Sequence, residues 1–267
     1  MNRTPAPKWA CLALGFFLTA GAADPQDAVK IEIVASQPCW VIENGTVRLA
    51  ITQMGAQMAP VTFCRDSDRA IQPYYVSPWQ GEGLKLDPPV LVPLRGDFFC
   101  LPFGSNSAPY EGMKFPLHGE PADKLPREVA WTTATNQDGG YLWFSMRDPR
   151  ILPMTVFWIE NHGRHGVPWN GRNRCLGLED VCSYVNEGMP ISAQPNDINA
   201  QGIPTAIELA ADRPTVVNYI QGVAKIPPDF RMVKDIELGA GEVTFVSVTG
   251  KKVSLPLDFE FARTGKL

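Results

Sequence analysis

The sequence has only three histidines in 267 residues, and two of them share one short segment. Beyond residue 25 it has no apolar run as long as the roughly 20 residues that a membrane-spanning helix needs. It also has no block or stripe of basic residues, and its net charge is −4. These absences argue against a helical membrane protein and against a nucleic-acid partner.

The N-terminus has the pattern of a secretory signal peptide. Arg3 and Lys8 supply positive charge, residues 9–20 form an apolar run, and the small residues 20–22 form a cleavage site. We expect residues 1–22 to be removed, which takes away two positive charges and changes the net charge from −4 to −6. The mature protein, residues 23–267, is then expected to be exported, periplasmic or secreted, without a membrane anchor.

Five cysteines remain after residue 22, and their spacing matches no zinc-ribbon pattern. An odd number leaves at least one thiol free, whereas export permits a disulfide whose pairing the sequence does not show. His162 and His165 are three residues apart, with Cys175 and Cys182 further along the chain. No helix or flanking carboxylate supports a metal site there, so a metal protein is the weakest alternative and we expect no metal or other cofactor.

Proline and glycine are abundant, with 25 and 23 residues scattered along the chain. This proline content argues against long helices, and no amphipathic helical pattern exceeds two turns. Ten short segments of β-branched and aromatic residues lie between the turn residues, among them VKIEIVA, TVRLAITQ and MTVFWIEN. The sequence predicts an all-β fold, a large antiparallel β-sandwich that forms one domain over residues 23–267.

Two further patterns concern the connections between strands. Asn44-Gly45 lies between two strand segments and favours the positive φ angles of a tight hairpin turn. The longest segments without a strand pattern are residues 77–118 and 161–204, which contain all three histidines. Because long loops in a compact domain are usually functional, we expect these two to gather over one face and form a site.

Three segments place single polar residues among apolar ones. Arg95 and Asp97 lie in VPLRGDFFCLPFGSN, which ends at Asn106, while His118 lies in FPLHGEP and Glu179 lies in RCLGLEDVCSY. Each residue also has a purely structural explanation. The arginine and aspartate can pair across a turn, the histidine can be hydrogen-bonded near the core, and the glutamate can face solvent from a strand.

In this order and context, the segments resemble the aldose 1-epimerase (galactose mutarotase-like) superfamily, and more closely its hexose-6-phosphate epimerase-like branch. The resemblance covers most of residues 30–250 and implies a galactose mutarotase-like β-sandwich with an open cleft for a small sugar. The matching segments are IENGTVRLAITQMGAQMAPVTF, PLRGDFFCLPFG, FPLHGEPADKLPREVAW, CLGLEDVCSY and IELGAGEVTFVSVTG.

The resemblance also implies an activity, the interconversion of the α and β anomers of an aldose. A base takes the proton of the C1 hydroxyl while an acid protonates the ring oxygen, so that the ring opens. The resemblance implies that Glu179 is the base and that His118 donates or orients the second proton. The substrate-binding residues that it implies are Arg95, Asp97, Asn106, His162, His165 and Trp169, with Trp79 as the alternative to Trp169 for the apolar platform under the sugar.

The chain departs from the family pattern close to these catalytic positions. Only 61 positions separate His118 from Glu179, and neither His162 nor His165 aligns with the second histidine of the family. Asp97 replaces a family glycine. The alternative is a non-catalytic carbohydrate-binding protein on the same fold, which needs the aromatic residues but no base. Neither the identity of the sugar nor the oligomeric state follows from the sequence.

Overall fold

The computed structural model describes residues 14–15, 30–98 and 129–266. They form two compact units: residues 14–15, 129–147 and 217–266 belong to unit 1, and residues 30–98 and 148–216 belong to unit 2. Strands dominate both units, and every strand pair is antiparallel. The predicted all-β character is confirmed, while one domain over residues 23–267 stays a prediction.

Unit 1 contains two sheets, with strand orders β1-β10-β7-β6 and β11-β12-β13. The strands are β1 (Leu14–Gly15), β6 (Ala130–Asn136), β7 (Tyr141–Arg147), β10 (Tyr219–Lys225), β11 (Val233–Gly239), β12 (Glu242–Ser247) and β13 (Lys252–Pro256), followed by the one-turn helix α2 (Phe261–Thr264).

Both sheets of unit 1 contribute side chains to one hydrophobic core. Phe144 of β7 and Phe245 of β12 meet in this core, with ring centroids 4.9 Å apart. β7 pairs with a strand on each side, and its sequence YLWFSMR is buried from Leu142 to Arg147. A strand enclosed in this way reads as a nearly continuous apolar run, because both of its faces are covered.

Unit 2 contains a four-stranded sheet in the order β2-β3-β4-β5 and a separate hairpin, β8-β9. Its elements are β2 (Lys30–Val34), β3 (Gln37–Glu43), β4 (Val47–Thr52), β5 (Met58–Phe63), β8 (Met154–Asn161), β9 (Arg174–Val181), the one-turn helix α1 (Met189–Ser192) and the 3-10 turns Pro89–Leu91 and Asn199–Gln201.

The predicted hairpin at Asn44-Gly45 forms, between β3 and β4, but its turn differs from the prediction. Neither residue has a positive φ angle. Instead the Asn44 side-chain oxygen accepts hydrogen bonds from the backbone N–H groups of Thr46 and Val47, at 2.9 and 2.8 Å. The asparagine side chain closes a three-residue connection, so positive φ angles are not required here.

Three further sequence predictions of local structure were wrong. AIQPYYV and TAIELA do not form strands, and residues 161–204 are not a continuous loop because they contain β9. In the first segment only Ile71 and Val76 make isolated bridges, since Pro73 between them has no N–H to donate to a strand ladder. In the part of the chain that the structure describes, no helix has the length and apolarity to span a membrane.

Candidate functional site

The hairpin β8-β9 places Glu179 on the same face as Trp158. Val156 lies opposite Glu179, Trp158 lies opposite Gly177, and Glu160 lies opposite Cys175. Since side chains alternate along a strand, these six residues share one face. The other face presents the exposed apolar side chains of Phe157, Ile159 and Leu176.

Three indole rings of unit 2 form a cluster at this hairpin. Trp169 makes edge contacts with Trp158 and Trp79, at centroid distances of 6.0 and 4.9 Å. Trp79 is almost fully buried, and its indole N–H donates to the carbonyl oxygen of Leu91 at 2.8 Å. Trp158 and Trp169 are partly exposed, so the cluster is buried at Trp79 and accessible to solvent at the other two rings.

Arg164 lies against two of these rings. Its guanidinium carbon is 4.9 Å from the ring centroid of Trp158 and 4.7 Å from that of Trp169. Its Nη1 group donates to the buried carboxylate of Glu160 at 3.0 Å. The same carboxylate accepts the backbone N–H of Gly163 at 3.0 Å, so one glutamate fixes both the start of the loop and its arginine.

Gly177 makes room for Glu179 beside the Trp158 indole. A methyl group at position 177 would lie 3.1 Å from Cβ of Trp158 and 3.2 Å from Oε1 of Glu179. The Glu179 side chain is mostly buried, and its carboxyl group makes no hydrogen bond to another described residue. Burial raises the pKa of this carboxyl to about 7, with the positive charge of Arg164 acting in the opposite direction.

Internal hydrogen bonds define the loop of residues 162–173, which joins the two strands. His162 has a φ angle of +62°, and its N–H donates to the carbonyl of Asn173 at 2.9 Å. Its ring Nδ1 lies 2.8 Å from the carbonyl oxygen of Gly171. A carbonyl only accepts, so Nδ1 carries the proton and the exposed Nε2 is left to bind a ligand or exchange a proton. His165 is also exposed.

The loop is also tied to residues 75–82 of the same unit. The Tyr75 hydroxyl donates to the side-chain oxygen of buried Asn173 at 3.3 Å. Arg172 forms an ion pair with Glu82. With the contact between Trp79 and Trp169, these links give the loop a fixed conformation although it contains no regular secondary structure.

Arg95, predicted to bind substrate, has no donor to offer a ligand. Its side chain is 1% exposed. All five of its N–H groups are engaged: Nε, Nη1 and Nη2 donate to the carbonyl oxygens of Pro93, Val34, Ala59 and Ala35 and to the side chain of Gln80. Arg95 therefore holds the turn after β2 against residue 80, and its role in this structure is architectural.

The remaining predicted residues are separate from the Glu179 cluster or lie outside the described residues. Asp97 is exposed and exchanges two backbone hydrogen bonds with Met58, and the described structure contains no ion pair between it and Arg95. His118 and Asn106 lie outside the described residues. No group of three His, Cys, Asp or Glu residues within the described ranges is placed to hold a metal ion.

A cavity of about 300 Å³ borders Trp79 in unit 2. Ser36, Gln80 and Leu84 are among its lining residues, and Glu179 is not. Arg95 donates to the side chain of Gln80, which lines this cavity, and to the carbonyl of Ala35, which precedes the lining residue Ser36. The Glu179 cluster is therefore a surface site beside the indoles and not the interior of this cavity.

No protein-family model, curated protein or solved structure matches the chain. The function is therefore inferred from the chemistry of the site. That chemistry combines a carboxyl group with a pKa of about 7, two partly exposed indoles, an arginine in contact with both, and an exposed histidine.

Sequence reasoning found Glu179, Trp169 and, as an alternative platform, Trp79, but it missed Trp158, Glu160 and Arg164. One signal was present. Trp158 and Glu160 alternate with apolar residues in MTVFWIEN, so they share a face of that strand. What the sequence did not show was the register that sets this face against Glu179.

Proposed function

We propose that the protein is a carbohydrate isomerase that interconverts the α and β anomers of an aldose, with Glu179 as the general base. The observation that carries the proposal is the Glu179 carboxyl, mostly buried beside Trp158, with a pKa of about 7. A base that titrates near the working pH has the best combination of ionised fraction and basic strength. The partly exposed indoles of Trp158 and Trp169 supply an apolar surface on which the C–H face of a sugar can pack.

In the proposed mechanism, ionised Glu179 removes the proton from the C1 hydroxyl. The C1–O bond of the ring breaks as the ring oxygen receives a proton, which gives the open-chain aldehyde. Rotation about C1–C2 and closure on the opposite face of the carbonyl yield the other anomer. Each proton returns to the group that held it, so the reaction needs no cofactor. The proposed donor is His118, and His162 is the exposed alternative within the described residues.

The resemblance of the sequence segments to aldose 1-epimerases also supports the finer parts of the proposal. These are a galactose mutarotase-like β-sandwich, a signal peptide in residues 1–22, and export to the periplasm or the medium. One structural observation supports export. Cys64 is disulfide-bonded, and disulfides persist mainly in oxidising compartments.

The test is the rate of anomerisation of freshly dissolved aldoses, followed by polarimetry or NMR after subtraction of the spontaneous rate. Glu179→Gln keeps the shape of the side chain but removes the base, so we expect the catalysed rate to fall by roughly 10²–10⁴-fold. The matched control is Glu187→Gln, which changes an exposed glutamate on the same unit. It should keep the wild-type rate.

The pH dependence gives a second test. Because Glu179 must be ionised to act as a base, the wild-type rate should rise with pH through about 7 and level off above it. Full activity in Glu179→Gln would refute the assignment of the base. A wild-type protein that binds aldoses without accelerating their anomerisation would instead favour the non-catalytic carbohydrate-binding protein.

A further inference from the structure

Arg164 contacts two aromatic rings in addition to its ion pair with Glu160. Its guanidinium carbon lies beside two indoles, 4.9 and 4.7 Å from the ring centroids of Trp158 and Trp169, and Nη1 is held by buried Glu160. The cation–π contacts and the ion pair fix the side chain before any ligand arrives, so little conformational entropy is lost when the guanidinium forms further hydrogen bonds.

One edge of this guanidinium is unused within the described structure. Nη1 faces Glu160, whereas Nε and Nη2 donate to no other residue that the structure describes. The side chain is 48% exposed, so this edge is accessible. The Nε and Nη2 hydrogens point in parallel, in the geometry that binds both oxygens of a carboxylate.

The charge around this edge fits an anion with a single charge. Residues 162–173 contain Arg164, Arg172, two of the three histidines of the chain and no acidic residue, although the whole chain has a net charge of −4. Arg172 is paired with Glu82, and Glu160 offsets part of the charge of Arg164. A phosphate group carries a charge of about −1.5 to −2 and needs more donors than this one edge supplies.

We propose that Arg164 binds the carboxylate of a sugar acid, such as a hexuronate, while the sugar ring lies beside Glu179. This inference rests on the proposed function, because it places the ring of the substrate at Glu179. The arginine is then a specificity-determining residue that selects acidic sugars over neutral ones.

The experiment measures the affinity of the full protein by calorimetry at low salt. The ligands are glucuronate and galacturonate, their neutral counterparts glucose and galactose, and glucose 6-phosphate. A charge-assisted pair of hydrogen bonds predicts that each hexuronate binds roughly 10- to 100-fold more tightly than its neutral counterpart. Arg164→Gln should reduce this ratio to below about threefold, and Arg164→Lys should give an intermediate ratio because lysine keeps the charge but loses the fork.

Arg174→Gln is the matched control, since it removes the same charge from an exposed side chain on the opposite face of the β8-β9 hairpin. It should keep the preference for hexuronates. The urea concentration at the midpoint of unfolding should be the same for the wild type and for Arg164→Lys. This would show that the fold is intact in the variant that keeps the charge but lacks the two parallel N–H donors.

Three results would overturn the inference: equal affinity of the wild type for acidic and neutral sugars, an unchanged preference in Arg164→Gln, or tighter binding of glucose 6-phosphate than of the hexuronates. If neutral sugars still bind measurably, any of these three results refutes the role of Arg164 but leaves the proposed function standing. Absence of binding by every sugar refutes both.

Discussion

At the scale of single residues, Glu179 is held in a site that opposes its own ionisation. An unfolded chain ionises this side chain near pH 4.5, whereas the folded protein does so at about 7. Between these values the folded state retains a proton that the unfolded state has lost, so this group makes stability fall as the pH rises. Above pH 7 both states are ionised, and the loss of stability stays constant.

This linkage predicts that Glu179→Gln is more stable than the wild type in alkaline buffer. Glutamine never ionises, so we expect its free energy of unfolding to exceed the wild-type value by about 1–3 kcal/mol at pH 8.5. The excess should shrink to below about 1 kcal/mol at pH 5, where the folded wild type is also neutral at this position. Urea denaturation of both proteins at the two pH values measures the difference.

Glu187→Gln again supplies the control, because its side chain is exposed and a surface change of this kind is worth less than about 0.5 kcal/mol. If Glu179→Gln were less stable than the wild type at pH 8.5, the carboxylate would have a favourable partner in the folded state, and its assignment as a poised base would fail.

Glu179 and Arg95 show which properties of a site residue can be predicted from the sequence. Glu179 was identified because its neighbours in the chain form a motif. Arg95 was assigned to ligand binding for the same reason, but the atoms that engage it belong to Val34, Ala35 and Ala59, which are distant in the chain. A motif reports the type of a side chain and not whether its donors are already taken.

At the scale of elements, the strands that were predicted well are those whose own residues favour a strand strongly. YLWFSMR and MTVFWIEN match β7 and β8 residue for residue. β9 was included in a loop by its composition, since Gly177, Glu179 and Asp180 are poor strand formers. Pairing with β8 along eight residues overrides that preference, and a cross-strand partner cannot be read from the strand itself.

Close packing between β10 and β7 supplies a prediction for unit 1. A methyl group at Gly222 would lie 2.6 and 2.9 Å from Cζ and Cε1 of Phe144, a ring that is 1% exposed. The core must shift to accept it, so Gly222→Ala should lower the free energy of unfolding by about 1–3 kcal/mol. Urea denaturation followed by far-ultraviolet circular dichroism measures this.

Gly239→Ala in β11 is the matched control, because its new methyl group would approach no atom closer than 3.7 Å. Its stability should stay within about 0.5 kcal/mol of the wild type. Equal stability of the two variants would show that the Phe144 ring is not confined as the structure places it.

At the scale of the whole molecule, the oxidation state of the cysteines tests the proposed export. Cys39, Cys175 and Cys182 are free thiols, and Cys64 is disulfide-bonded. A disulfide uses two cysteines, and five cysteines follow residue 22. Mature protein should therefore give three reactive thiols per chain when denatured without reductant and five after reduction.

The measurement is a thiol titration with Ellman's reagent on protein purified from the native host, together with its intact mass. A mass that begins at residue 23 agrees with the proposed cleavage. An intact Met1 together with more than three thiols before reduction would contradict both export and the disulfide.

The cluster of Trp79, Trp158 and Trp169 gives the molecule an optical property. Ring centroids 4.9 and 6.0 Å apart at nearly perpendicular angles allow the electronic transitions of neighbouring indoles to couple as excitons. Such coupling appears as paired bands of opposite sign in ultraviolet circular dichroism. Trp131 and Trp143 are the tryptophans in the described part of unit 1, and neither belongs to this cluster. The couplet therefore reports the integrity of the indole cluster beside Glu179 during unfolding.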